Sequence, residues 1–485
     1  MRIALTFSSL IFLTGSVLAQ TKISWVSTTP QAQWKPQTAQ LFIKSPATPD
    51  VELELDKPQQ SIHGFGTCFN ELGWTSLGLL PQSDREKIFR ELYSPGAGAN
   101  FTICRMPIGA NDFSRNWYSY NETEGDFEMK NFDIKNDQET LIPFIKAAKK
   151  YNPSIRLWAS PWSPPQWMKY NKHYAGRSIL GNDTTISVEW GMHLRGINNG
   201  LPKEKEGKEG TNMFIQEEPY FKAYALYFAK FIEAYRRNGI NIDMVMPQNE
   251  YNSAQFFPSA TWTAAGLARF IPHLGEKMQA LGVKIFFGTV ERANPKMIDS
   301  VLTDPKSAKY IKGVGFQWDG KNAIPVINKQ YSNLSLYQTE QECGNGMNDW
   351  KYAVYTWGLM KHYLSNGANA YLYWNTSLKQ GGISTWGWKQ NSLVVVDTTA
   401  KTFRYTYDYY FLKHLSHYVK PGARRIDTNG SFYNLLAFVN PDKSIIVVAQ
   451  NETAAPKKIL VKVGNKTFSP TLEGNSLNTF RLSNE

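Results

Sequence analysis

The sequence predicts a (β/α)8 TIM barrel with a β-sandwich at its side, and three observations carry that prediction. Through the middle of the chain, short β-rich runs alternate with longer stretches of helical spacing, the pattern of parallel strands joined by crossover helices. Those runs end near Phe69, Pro107, Ser160, Gln248, Val290, Trp318, Glu340 and Trp374, and eight such units close a barrel. Beyond Arg425 the helical spacing gives way to short β-rich runs separated by turn formers.

Taken in order, the chain begins with Met1 and Arg2. An apolar run follows through Ile11, Phe12 and Leu13 to Val17, Leu18 and Ala19. A charged start, an apolar middle and a small-residue end make residues 1–19 a secretory signal, so a secreted or periplasmic protein is expected. Residues 20–57 hold the alternating run Val51–Asp56, a half-buried strand that joins the sandwich. Residues 58–418 are assigned to the barrel. Its clearest helix runs from Tyr220 to Arg237, with Phe221, Ala225, Phe228 and Phe231 on one face and Asn238-Gly239 closing it. Residues 419–485 form the C-terminal sandwich from the runs Phe432–Val439, Ser444–Ala449, Lys458–Val463 and Ser476–Leu482.

Composition narrows the function. The net charge of +12 is scattered, and the densest charged stretch, Lys203 to Glu209, alternates in sign as a solvated loop does, so no nucleic-acid partner is expected. After the signal, no stretch approaches about 20 uninterrupted apolar residues, so no stable membrane insertion is expected. Cys68, Cys104 and Cys343 are too few for a disulfide framework; one bridge is open to them, and buried free thiols fit better. The 15 Trp and 25 Tyr supply flat, partly apolar faces of the kind sugars stack on, although a Trp-rich core accounts for them equally well.

The candidate chemistry lies at strand ends, where barrels place it. Glu250 follows the apolar run Met244-Val245-Met246-Pro247 and the amides Gln248 and Asn249; Glu340 stands at the exit of Leu334–Thr339. A lone Asn-Glu pair is more often a surface turn. Two carboxylates ending the fourth and seventh strands, however, face each other across one barrel mouth. Double displacement at an anomeric carbon needs that pair: one carboxyl protonates the leaving oxygen while the other, about 5 to 5.5 Å away, attacks. Two residues beyond Glu340 lies Glu342, on the same face if the strand continues. Glu291, at the end of the fifth strand, reads as a supporting or loop carboxylate.

Six stretches in order resemble glycoside hydrolase family 30, the group that includes glucosylceramidases and β-1,6-glucanases. They are His63–Gly66, Arg105–Ser114, Ser160–Trp167, Gln248–Glu250, Gln338–Glu340 and Tyr373–Asn375, and the likeness continues through Phe411–His417 into the sandwich. The resemblance implies a retaining β-glycosidase acting on oligo- or polysaccharide or another β-glycoside, with Glu250 as acid/base and Glu340, rather than Glu342, as nucleophile. It also implies that Asn249 binds the sugar 2-hydroxyl, that Asp112, Trp162 and Trp374 hold a terminal sugar, and that Asn391 lies near the 6-hydroxyl. Trp318 is placed against substrate. Arg105 is expected to orient the nucleophile through a bidentate pair, with Gln317 supporting. The chain departs from the family at Gln317-Trp318-Asp319, where glucosylceramidases carry His-Trp-Tyr, and at Cys68–Glu71. Those changes leave β-1,6-glucanase, β-glucosidase, glucosylceramidase, β-xylosidase and β-fucosidase specificities open, with the first two favoured.

Neither a metal nor an organic cofactor is expected. His414 and His417 have a ligand-like spacing but lie on a helix with no carboxylate or cysteine pattern nearby. Gly64 and Gly66 are not followed by the third glycine and helix of a dinucleotide loop. A binding protein that has lost catalysis is the rival from another class, and retention of both Glu250 and Glu340 argues against it.

Overall fold

In the computed structural model, residues 22–180, 186–187, 192–194 and 196–483 are described; the expected signal, residues 1–19, lies outside them. Eight parallel strands close a barrel in the order of the chain: Gly64–Cys68, Ile103–Ile108, Arg156–Pro161, Met244–Val245, Lys284–Val290, Ile311–Gln317, Ser335–Glu340 and Ala368–Asn375. Most strand residues are buried on both faces, as parallel strands wrapped by helices must be. The first and last strands pair through Ala370 and Gly64, Tyr371 and Phe65, and Leu372 and Gly66. At Gly66 a side chain would run into the Ile103 carbonyl of the neighbouring strand, 1.6 Å from an added Cβ.

All eight predicted strands are present; only the fourth ends more than one residue from expectation. The fourth ladder stops at Val245, because Pro247 has no N–H to continue it. The sixth stops at Gln317, and Trp318 turns away with φ +46°. The expected helix spans Glu218–Arg237, starting two residues earlier than expected, with Pro219 in its first turn where no hydrogen-bond acceptor is needed. Its buried face, including Phe221, Tyr224, Phe228, Phe231 and Tyr235, packs against the helix Ala264–Leu281.

The sandwich is a ten-stranded sheet in which both chain ends take part. Val51–Ser61 lies between Arg424–Asn429, antiparallel, and Val461–Val463, parallel. Lys22–Thr28 pairs with Ser476–Leu482. Among the strands not foreseen are Lys22–Thr28, which directly follows the signal pattern, and Arg424–Asn429, whose sole apolar residue, Ile426, is too few to show alternation. The sheet curls round a core of its own, with Ile23, Leu53, Val461, Phe468 and Phe480.

His414 fastens this sheet to the barrel. Its helix, Tyr407–Ser416, follows the last barrel strand, and its ring nitrogens lie 2.8 Å from Thr479 Oγ1 and 2.9 Å from Thr28 Oγ1. Burial pushes its pKa down to about 3, so it stays neutral. His417 Nδ1 donates to the Ala97 and Gly98 carbonyls. All three cysteines are buried free thiols. Among the described residues, no group of three or more His, Cys, Asp or Glu is placed to hold a metal, and no helix is long and apolar enough to cross a membrane.

Candidate active site

The fourth strand delivers Asn249 and Glu250 into the mouth of the barrel between two neighbours. Asn249 N donates to the Pro161 carbonyl after the third strand at 2.7 Å, and Glu250 N donates to Thr289 Oγ1 on the fifth at 2.8 Å. Glu250 has φ +44°, a left-handed backbone that costs a non-glycine residue on the order of 1–3 kcal/mol and persists only where neighbours hold it. Those two bonds are what hold it. Glu340 ends the seventh strand, while Thr339 beside it donates to the Phe316 carbonyl and to Gln317 Oε1, each at 3.0 Å.

Gln317 joins the two acids. With its oxygen turned to Thr339, its Nε2 lies 2.9 Å from Glu250 Oε1, 3.2 Å from Glu340 Oε2 and 3.2 Å from Asn249 Oδ1. The two nearest carboxylate oxygens, touching one nitrogen at those lengths, stand no more than about 6 Å apart, which admits the roughly 5–5.5 Å spacing of a pair that works through a covalent adduct.

Arg105 is fully buried and reaches both carboxylate-bearing strands. Nη1 is ion-paired with Glu340 Oε2, while Nη2 donates to Asn249 Oδ1 at 2.6 Å and to Ser160 Oγ at 2.9 Å. The bidentate pair expected from sequence is therefore corrected to a single arm on Glu340. The other arm is drawn to Asn249, whose oxygen also faces Thr289 Oγ1 at 3.2 Å. That oxygen is committed to protein donors; Asn249 is buried and, like Trp374 and Asn391, does not line the cleft. Trp162, Trp158 and Trp374 surround the guanidinium at 4.3, 4.9 and 5.4 Å, so the Glu340 charge has its counter-ion in an aromatic cage.

Burial raises both catalytic-position carboxyls above the ordinary range. For Glu340 the strongest opposing force is Arg105, and the Glu250 charge adds to the rise. For Glu250 the chief opposition is the Gln317 hydrogen bond, followed by the charges of Arg292 and Arg105. Only Glu340 makes a direct ion pair with Arg105. A single proton shared by the pair is therefore better held by Glu250, leaving the negative charge on Glu340.

The two acids line a cleft of about 420 Å³ together with Asp112, Trp162, Trp318 and Trp388. Asp112 Oδ2 accepts from Trp374 Nε1 at 3.1 Å, while Oδ1 is buried without a partner among the described residues. Burial and then the charges of Glu340 and Glu250 push Asp112 well above the usual carboxylate range. Trp374 does not line the cleft; it is buried behind it, stacked on Trp162 at 4.9 Å. Asn391 is also absent from the wall. It is fully buried, and its Oδ1 accepts from the Gly346 and Asn348 amides, so it shapes the loop after the seventh strand. The expected place beside a sugar hydroxyl is corrected accordingly, since its position in the chain gave no sign of that buried loop.

Glu342 also lines the cleft, but Lys321 Nζ holds one of its oxygens at 2.8 Å and Tyr355 donates to the other at 2.6 Å. Glu291 is more exposed to function than its sequence reading allowed. It forms part of the cleft wall, with Oε1 accepting from Asn252 N and Ser253 Oγ and Oε2 buried without a partner among the described residues. Burial, reinforced by the Glu250 charge and opposed by Arg292, brings its pKa to about 8. Arg292, Lys321 and Trp388 were missed. Arg292 and Trp388 lie on loops and Lys321 in the short 3-10 turn Trp318–Asn322, where no periodicity marks the residues that turn inward.

The sequence profile described as the glycosyl hydrolase family 30 TIM-barrel domain matches residues 62–188 and 202–419, and that of the family 30 beta sandwich domain matches 422–480. The chain belongs to glycosyl hydrolase family 30. This family 30 hydrolase is 30% identical over 429 residues to putative glucosylceramidase 1 of Caenorhabditis elegans, covering 83% of this chain and 76% of that protein. It is 25% identical over 415 residues to an endo-1,6-beta-D-glucanase of Aspergillus fumigatus, covering 81% and 79%. A solved endo-beta1,6-glucanase superposes with a TM-score of 0.77 at 25% identity, covering 96% of this chain and 99% of that one.

Proposed function

We propose that this family 30 hydrolase is an exported, retaining β-glycosidase that cleaves β-glucosidic bonds by double displacement. The observation that supports the reading is the single Gln317 nitrogen in contact with both Glu250 and Glu340, which keeps the two acids within the spacing a covalent adduct requires. Glu340, kept ionised by Arg105, attacks the anomeric carbon as Glu250 gives its proton to the leaving oxygen. The ester formed on Glu340 removes a negative charge from beside Glu250, whose pKa falls. Glu250 then takes a proton from water as that water attacks the ester and regenerates Glu340.

Asp112 presents its unpartnered oxygen to hydroxyls of the attacked sugar, and Trp162 and Trp318 supply aromatic wall. The glucosidic class is supported by relatives named for glucosylceramide and 1,6-β-glucan. Among these, β-1,6-glucan or a soluble β-glucoside is the preferred substrate class; export is supported by the signal pattern of residues 1–19.

Azide rescue tests the assignment. Glu340→Ala with an activated aryl β-glucoside and azide gives the α-glycosyl azide, and Glu250→Ala gives the β-anomer. Exchanged anomers would reverse the two roles, and an inverted sugar product from the wild type would end the double-displacement reading.

A further inference from the structure

The order of charges along the cleft distinguishes its ends. Asp112 accepts from Trp374, whose ring lies against Arg105, the counter-ion of Glu340, whereas Glu291 accepts from Asn252 N and Ser253 Oγ, two and three residues past Glu250. The acids therefore run Asp112, Glu340, Glu250, Glu291. Because the acid/base delivers its proton to the leaving oxygen, the attacked sugar lies toward Asp112 and the leaving group toward Glu291.

The Asp112 end is closed by its loops. Burial of the acids does not separate the two ends, since Asp112, Trp162 and Glu291 are 3%, 1% and 1% exposed. Around Asp112 and Trp162 the loops after the second, third and eighth strands are joined to one another: the Trp117 ring lies 5.7 Å from Tyr174 and 4.6 Å from Trp386, and Thr385 Oγ1 donates to the Ser114 carbonyl at 2.7 Å. A chain continuing past the first sugar meets these joined loops.

The other end is open and polar. The side chains of Arg292 and Lys321 are 33% and 26% exposed, Asp319 is exposed, and Glu342 pairs with Lys321. Trp318 and Trp388 meet edge to face there, with ring centroids 6.4 Å apart. An alkyl chain laid along this wall strips water from four charged groups without replacing their hydrogen bonds. Sugar hydroxyls replace those bonds, and a sugar face stacks on the aromatic rings.

We propose that the cleft seats one glycone sugar at its closed end and a hydrophilic sugar leaving group at the Arg292–Lys321 end, so that chains are trimmed one sugar at a time from the non-reducing terminus. This rests on the β-glycosidase reading above and adds the direction and the leaving group.

The experiment uses the wild-type enzyme. A panel of aryl β-glycosides fixes the glycone. Reducing-end-labelled linear tetrasaccharides of that sugar, in β-1,3, β-1,4 and β-1,6 linkage, are then digested beside analogues whose terminal non-reducing sugar is blocked as a 4,6-ketal. Expected are monosaccharide from the first time point, labelled trisaccharide as the first labelled product, and at least about 100-fold slower cleavage of the blocked chains, as befits a site built around hydroxyl contacts.

Early labelled mono- or disaccharide, ready cleavage of blocked chains, or failure on every tetrasaccharide while aryl glycosides turn over overturns the proposal and leaves the β-glycosidase reading standing. A dodecyl β-glycoside with a higher kcat/KM than the matching disaccharide overturns the sugar leaving group. Lys321→Ala is expected to lower kcat/KM on the disaccharide roughly tenfold more than on the aryl glycoside, the loss of one charge-assisted hydrogen bond; an equal fall on both counts against the proposal. Inactivity on every aryl β-glycoside, with no azide rescue in either Glu variant, defeats the underlying reading as well.

Discussion

Replacing Gln317 with methionine removes the donor shared by the two acids while keeping an unbranched side chain of similar length. Gln317 Nε2 sits 2.9 Å from Glu250 and 3.2 Å from Glu340, and its hydrogen bonds oppose the rise that burial imposes on both. A hydrogen bond to a charged group contributes about 1.5–3 kcal/mol, so kcat/KM is expected to fall roughly 10- to 100-fold. Losing the donor also lets both carboxyl pKa values climb. On the proposed roles, the acid limb, set by ionisation of Glu340, and the alkaline limb, set by deprotonation of Glu250, both move to higher pH. A shift of about one pH unit corresponds to about 1.4 kcal/mol. The assay is the pH profile of kcat/KM on an aryl β-glucoside, with thermal unfolding recorded beside it. A lower rate on an unmoved profile would refute the electrostatic role, because it would leave Gln317 as a spacer only.

Three other substitutions probe the surroundings. Arg105→Met leaves Glu340 buried without its counter-ion, and a loss of about 3–5 kcal/mol in unfolding free energy is expected above the carboxylate range, shrinking in acid as Glu340 takes up a proton; a pH-independent loss in denaturant melts contradicts this. Glu291 has a folded pKa near 8 against an ordinary 4.5, so the neutral acid stabilises the fold fully below about 4.5 and that contribution is lost as pH rises through about 8. Glu291→Gln is expected to be the more stable protein by a few kcal/mol at pH 9 and equal to wild type at pH 4, measured by denaturant unfolding. Lys169 is fully buried, and its Nζ donates to Ser163 Oγ and to the carbonyls of Tyr174 and Ser259, tying the loop after the third strand to the one after the fourth. Lys169→Met is expected to cost about 2–4 kcal/mol by stranding two carbonyls; a change within 0.5 kcal/mol, roughly the range of surface substitutions, would show that the tie is dispensable.

The barrel was legible because its strands are buried on both faces and therefore announce themselves as largely apolar runs. Glu250 and Glu340 stand out for that reason: an amide or hydroxyl and then a carboxylate follow a stretch that has no cause to carry either. The sandwich strand Arg424–Asn429 was hidden because one buried residue, Ile426, is enough to seat it beside Val51–Ser61. What the sequence concealed at the site is the wiring across the barrel. That Arg105 divides its two arms between Glu340 and Asn249, that Glu342 is held by Lys321 and Tyr355, and that Asn391 faces a buried loop are all decided by residues far away in the chain. Spacing along the chain carries no record of them.

The departure at Gln317 is the place where sequence and site meet. Glucosylceramidase-like sequences carry histidine there, and in this fold that position touches both acids. Gln317→His keeps a donor but places an ionisable ring between two carboxyls, which hold it protonated into the working range. A positive charge at that distance favours the charged form of both, the opposite of what the methionine variant does, so the pH profile is expected to move about one unit toward acid. The two variants thus have opposite signs on one assay. A histidine profile displaced toward alkali, in step with methionine, would mean that packing rather than charge at this position governs the pair. The neutral amide leaves the titration near Glu250 and Glu340 to carboxyl groups alone, and the sign of that single exchange is what tests it.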